Sequence, residues 1–282
     1  MEIKEIVRLT RFEHAVMLAL AVFIGETILL RSIPPVDMLL ALSLLVPVLS
    51  EMGSFALNDY LDVETDRLNR KMDRPLVRGA ISLAFARNLS IACLALSVLL
   101  AYFINMNAFL IALLFNVFAV AYNAKLKDLP LLGNIYIALT MAIPFIFGNF
   151  VVANDLAPLA VILAALGFVA GLAREIVKTV QDMEGDMQAR GSRTLPVVIG
   201  KGPSLAVAVI LYLLFIPLSA SPFVLGLKWS VPAGILVTIG DLMILSIIFR
   251  LSIRSEDQFA YARKISLIAF FIGMIGLLLA AI

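Results

Sequence analysis

Residues 107–124, NAFLIALLFNVFAVAYNA, run for eighteen positions without a charged side chain. A helix of about that length crosses the hydrocarbon core of a bilayer. Apolar residues follow one another here instead of alternating with polar ones, which excludes a membrane β-barrel strand. Eight further runs of the same kind lie near residues 12–30, 36–57, 82–104, 131–152, 156–176, 204–221, 230–249 and 264–282. The mean hydropathy of +1.04, with only 15% charged residues, agrees, because so much apolar surface is stable only in lipid. The pattern predicts an all-α polytopic membrane protein of nine transmembrane helices. No linker or low-complexity tract interrupts it, so residues 1–282 read as a single membrane domain.

The charges give an orientation. Of the 22 Lys and Arg residues, 20 fall on one side once the runs are placed, leaving Arg31 and Lys228 opposite. The positive-inside rule makes that side cytoplasmic, together with the N-terminus, and an odd number of spans puts the C-terminus outside. The expected location is the cell membrane. The first run is long enough to remain in the membrane and lacks the cleavage site of a secretory signal. Cys93 is the only cysteine, so neither an internal disulfide nor a thiolate metal cage forms. A net charge of +2 gives no reason to expect nucleic acid, and no obligate protein partner is evident.

Two segments on the cytoplasmic side depart from the apolar pattern. They are NDYLDVETDRLNRKMDRPLVRG, Asn58 to Gly79, and KTVQDMEGDMQARGSRTLP, Lys178 to Pro196. Each carries two aspartates four residues apart, Asp62/Asp66 and Asp182/Asp186. Residues at that spacing share a helical face, so Asn58, Asp62 and Asp66 form one row, with Asp59 beside it. Like charges in a row repel unless a cation lies between them, and oxygen-only donors suit a hard ion such as Mg²⁺. Each row is followed by bases, Arg67, Arg70, Lys71, Arg74 and Arg78 after the first, Arg190, Arg193 and Lys201 after the second. Acids for metal and bases for phosphate point to a diphosphate site. Lys178 holds in the second row the place of Asn58 in the first, a cation where the other half offers a neutral ligand.

Asn58-Asp59-x-x-Asp62-x-x-x-Asp66 with Arg74-Pro75 and Gly79 closely resembles the first signature of the UbiA superfamily of intramembrane prenyltransferases, and Asp182-x-x-x-Asp186 its second. The resemblance covers essentially the whole chain. It implies a helical bundle around a central chamber, a polar cytoplasmic cap, a lateral opening to lipid, and Mg²⁺ bridging a prenyl diphosphate to the aspartates. Within the superfamily, REIVKTVQDMEGD from Arg174 and the following SRTLPVVIG are most similar to the archaeal ether-lipid branch. That branch transfers a geranylgeranyl group from geranylgeranyl diphosphate to geranylgeranylglyceryl phosphate. Other branches prenylate an aromatic acceptor for quinone synthesis or a porphyrin.

On this resemblance Asp62, Asp66, Asp182 and Asp186 are the catalytic metal ligands, joined by Asn58, with Asp59 either behind them or structural. Lys125, Lys178, Arg67 and Arg74 are expected to contact the diphosphate, since their loops converge in the implied bundle. Tyr122 and Asn123, at the end of the fourth span, place a hydroxyl and an amide nearby. Lys127, Arg190 and Arg193 serve topology as readily as binding. Phe115, Phe118, Phe145, Phe147 and Phe168 are candidates for lining an isoprenoid tunnel, and His14, Glu26, Glu51 and Asp241 for lining the chamber. The substrates expected are a prenyl diphosphate and a membrane-soluble lipid acceptor. Two rivals stand beside this reading: an aromatic acceptor, and transport of a divalent cation, which places its ion site near the midplane on interrupted helices.

Overall fold

A computed structural model describes residues 2–68, 70–253 and 257–282, and for Asp186, Ala189 and Arg190 the backbone alone. The described residues form helices and no strands. In chain order these are α1 (Ile3–Thr10), α2 (Phe12–Leu30), α3 (Met38–Leu61), α4 (Val63–Leu68), α5 (Leu83–Ile104), α6 (Met106–Ala124), α7 (Leu132–Val152), α8 (Pro158–Arg190), α9 (Leu195–Ile199), α10 (Lys201–Ser219), α11 (Ser221–Val224), α12 (Val231–Ile253) and α13 (Gln258–Ala281). Among the described residues, nine stretches are long and apolar enough to cross a membrane: α2, α3, α5, α6, α7, α8, α10 with α11, α12 and α13. The chain is a multi-pass membrane protein.

Local signals set the helix starts. Asp37, Ser82 and Asn105 accept the backbone N–H of Leu40, Phe85 and Ala108 at 2.9, 3.2 and 2.8 Å, capping α3, α5 and α6. Asn105 also donates to the Phe150 carbonyl at 2.6 Å and so ties the start of α6 to the end of α7. Between helices, small residues and buried polar bonds replace the hydrophobic drive that lipid removes. A methyl at Gly167 of α8 would collide with the Met141 carbonyl of α7, which fixes the close approach of those two spans. Asn116 of α6 donates to Ser97 and to the Leu94 carbonyl of α5 and accepts from Ser50 of α3, at 2.7, 2.9 and 2.5 Å. α3 packs against α5, α7 against α8, and α12 against α13, with α2 joining the two halves through α3 and α7.

Two helices run farther than their apolar stretches. The apolar stretch of α8 ends near residue 176, but the helix continues to Arg190, about 50 Å at 1.5 Å per residue. Only about 30 Å of that fits in the hydrocarbon core, so its last turns project as a polar extension. α3 likewise runs past residue 57 to Leu61. Hydropathy marks the end of the membrane, whereas backbone hydrogen bonding marks the end of the helix.

Candidate active site

The projecting ends of α3 and α8 meet at the mouth of one large cavity, of about 1260 Å³. Asn58, Asp62 and Asp66 face it from α3 and α4, and Asp182 and Lys178 from α8. Tyr122 and Asn123 face it from the end of α6. The side chain of Asp186 lies outside the described residues.

The first aspartate row is bent. Asp62 caps α3 instead of lying within it, with φ −93° and ψ 3°, and Asp66 begins anew on α4. Backbone bonds from Asp62 N to Asn58 O (2.9 Å) and from Asp66 N to Asp62 O (2.8 Å) carry the four-residue register across the break. Asn58 Nδ2 donates to Asp62 Oδ2 at 3.1 Å and to Asn123 Oδ1 at 2.8 Å, so the amide of α6 orients the amide of α3.

Asp59 turns the other way. It is buried and accepts Arg74 at 2.5 Å and Arg11 at 3.3 Å, as the shared partner of the two guanidinium groups. Arg11 spans α1 and α2 in left-handed conformation, φ 44°, with its guanidinium over the Phe55 ring. Burial, then the charge of Arg74, lowers the pKa of Arg11, and the Asp59 and Asp66 carboxylates oppose that. The bases after Asp66 fold back onto it, with Lys71 Nζ at 2.9 Å and Arg74 Nε at 3.9 Å.

The expected diphosphate contacts divide. Lys178 faces the cavity and is held by Glu175 at 2.9 Å. Arg74 faces it too, but its guanidinium is taken up by Asp59. Arg67 pairs with Glu64 on the exposed side of α4 and is not among the cavity-lining residues. Lys125 caps the end of α6, is exposed, and does not line the cavity. Lys127 does, its side chain only 8% exposed and its Nζ 2.5 Å from Asp62 Oδ1. A 3-10 turn over Leu126–Asp128 separates the two lysines and turns the second inward. Lys71 also lines the cavity, and composition alone did not set it apart from its basic neighbours.

Other lining residues stand outside the two aspartate rows. Thr194, after α8, is buried, has no hydrogen-bond partner for Oγ1 among the described residues, and faces the cavity. Its loop is tied down by Ser192 Oγ to Asp128 Oδ1 at 2.6 Å and Arg193 N to Asp128 O at 3.0 Å. Tyr136 stacks on Tyr122 with centroids 4.7 Å apart. His14 and Glu51 line the cavity, whereas Glu26 is buried beside Gly148 and Asp241 accepts Ser219 at 2.9 Å beside a separate small void. Of the five phenylalanines considered, Phe145 alone is among the lining residues, within an apolar section formed by α2, α7 and α13.

This donor set suits Mg²⁺. Asn58, Asp62, Asp66 and Asp182 offer oxygen alone and face one space. Mg²⁺ takes one or two carboxylates and fills its remaining positions with water and substrate phosphate, so an open donor set of this kind fits it. The lysines on Asp62 and Asp66 show how strongly these carboxylates draw cations.

A family model for the UbiA prenyltransferase family matches residues 18–280. The chain is 35% identical to the digeranylgeranylglyceryl phosphate synthase of Archaeoglobus fulgidus, over 97% of this chain and 94% of the relative. It is 34% identical to the synthase of the same name from Thermococcus kodakarensis, over 100% and 99%. A structure solved for mechanistic insight into digeranylgeranylglyceryl phosphate synthase in membranes superposes with a TM-score of 0.82 at 28% identity, covering 99% of this chain and 98% of that one. The fold is shared with a UbiA homologue from Archaeoglobus fulgidus bound to GPP and Mg²⁺, TM-score 0.68 at 24% identity, over 97% and 99%.

Proposed function

Because the chain belongs to the UbiA prenyltransferase family, we propose that it transfers a geranylgeranyl group from geranylgeranyl diphosphate to geranylgeranylglyceryl phosphate, forming the second ether of an archaeal membrane lipid. The observation that carries this reading is the single chamber in which carboxylates and lysines at the polar mouth adjoin an apolar section large enough for isoprenoid chains. The relatives that match along their whole length bear the corresponding synthase name. Membership of a transferase family sets the transporter reading aside.

Asn58, Asp62, Asp66, Asp182 and Asp186 would hold Mg²⁺. When bound, the ion supplies Lewis-acid neutralisation of the departing diphosphate. Lys127, Lys71 and Lys178 add fixed positive charge around the same oxygens, which lowers the cost of breaking the C1–O bond of the donor. Lys127 and Lys71 rest on Asp62 and Asp66. A diphosphate gives them oxygens to bridge to without their leaving the carboxylates far behind. Thr194 Oγ1 offers a further donor. Asn123 holds Asn58 in its orientation, and the stacked Tyr122 and Tyr136 wall the mouth against water. C1 then forms an ether bond to the acceptor hydroxyl oxygen, the electron pair of the broken C1–O bond leaves with diphosphate, and the hydroxyl proton passes to that departing diphosphate.

The mouth of the chamber is assigned to the cytoplasm, with the N-terminus on that side and the C-terminus outside, on the distribution of Lys and Arg. The test of function is incubation of the detergent-purified protein with geranylgeranyl diphosphate, Mg²⁺ and either geranylgeranylglyceryl phosphate or an aromatic acid, with products identified by mass. The diether phosphate is the expected product. Prenylation of the aromatic acid alone overturns the assignment of acceptor.

A further inference from the structure

Around Asp62 and Asp66 every cation that faces the chamber has a carboxylate; among the described residues two arginines farther along the wall have none within ion-pair distance. Arg174 of α8 donates from Nε to the Arg263 carbonyl of α13 at 3.2 Å. Arg263 in turn donates from Nη1 to Gln181 Oε1 at 3.0 Å. Both line the chamber and both are partly buried. Neither has a carboxylate within 4.0 Å among the described residues; the charge of Glu175 favours the Arg174 guanidinium and that of Arg263 opposes it. Glu175, the nearest acid in sequence, is taken by Lys178 at 2.9 Å. Two guanidinium groups side by side on one wall draw an anion, and a pair of guanidinium forks matches the oxygens of a phosphate.

The position of the pair selects which phosphate. Along α13 the chamber face continues from Arg263 to Leu267, Phe271 and Met274, and α2 presents Met17 beside it. Met17 and Phe271, 49% and 43% exposed, make the wall between α2 and α13 an apolar surface suited to contact with lipid. A molecule that enters there from the bilayer lays an isoprenoid chain on Leu267 and Phe271 and brings an anionic head group to Arg263. That is the shape of a phosphorylated ether lipid, whereas the donor diphosphate belongs with the carboxylates of α3, α4 and α8.

We propose that Arg174 and Arg263, with Gln181 orienting the second, form the subsite for the phosphate monoester of the lipid acceptor. The assignment rests on the reading of the acceptor as a glycerol phosphate ether lipid.

The experiment is steady-state kinetics of detergent-purified wild type, Arg174→Gln and Arg263→Gln, varying geranylgeranyl diphosphate and geranylgeranylglyceryl phosphate separately. Each variant is expected to raise the KM for the acceptor by roughly 10–100-fold, the loss of one charge-assisted hydrogen-bonding group, and to leave the KM for the diphosphate unchanged. The preference of the wild type for the phosphorylated acceptor over its dephosphorylated ether should shrink in both variants. Arg174→Lys and Arg263→Lys, which keep the charge without the fork, should give intermediate values and carry the test if the Gln variants do not fold. A raised KM for the diphosphate with an unchanged acceptor KM would hand the pair to the donor. Unchanged values for both would remove the subsite while leaving the function intact. Competitive inhibition against the acceptor by added phosphatidylglycerol, a phosphodiester, would reassign the pair to bilayer head groups. Wild-type protein that transfers nothing to the glycerol phosphate ether overturns reading and subsite together.

Discussion

Lys127 Nζ lies 2.5 Å from Asp62 Oδ1, across 65 positions of sequence and between two different interhelical segments. Lys125, two residues earlier, caps α6 and is exposed. The turn over Leu126–Asp128 therefore decides which lysine faces the chamber. Lys127→Met is expected to reduce turnover by roughly 10²–10³-fold, as the loss of one preorganised electrostatic contact. Lys125→Met should change it by less than about twofold, since an exposed topological charge contributes little to a transition state. Equal effects in the two variants would dissolve the distinction.

Asp62→Ala and Asp182→Ala should each abolish turnover at saturating Mg²⁺ while thermal unfolding in detergent stays cooperative. Each removes a charge proposed to hold metal without opening a buried core. Retention of most activity by either variant would remove the two-sided metal site.

Asp59 behaves differently, because it is buried beneath Arg74 and Arg11. Asp59→Ala leaves both guanidinium groups without their shared partner, and both are mostly shielded from water. The expected cost is about 2–4 kcal/mol of stability, read as a lowered unfolding midpoint. An activity loss with no change in midpoint would instead make Asp59 a site residue.

Lys178 faces the chamber one turn before Asp182, held by Glu175 at 2.9 Å. Lys201 pairs with Glu184 at 2.8 Å outside the chamber. Lys178→Met should therefore lower turnover by roughly 10²–10³-fold and Lys201→Met leave it near wild type. Equal small effects would reduce Lys178 to a residue of topology.

Tags placed after residues 127 and 190 should be reached by a membrane-impermeant reagent only from the cytoplasm, and a tag after Ile282 only from outside. Labelling of Ile282 from the same side as residue 127 contradicts an odd number of crossings.

The spans were legible in the sequence because the bilayer imposes a length and a polarity on each helix independently of its neighbours. The two aspartate motifs were legible too, since residues four apart share a face in any helix or helix-like turn. Assignment of individual side chains within those motifs was not. Asp59 and Asp62 are three residues apart and both acidic, yet one is buried under two arginines and the other faces the chamber in register with Asn58. Lys125 and Lys127 have the same charge and neighbourhood in sequence, and only the 3-10 turn separates their directions. Arg174 and Arg263 are 89 positions apart and belong to no common motif; packing of α13 on α8 makes them a pair. Hydropathy and helical periodicity are local properties of the chain. The direction of one charged side chain depends on where a helix stops and which helix lies beside it, and those are settled by tertiary packing.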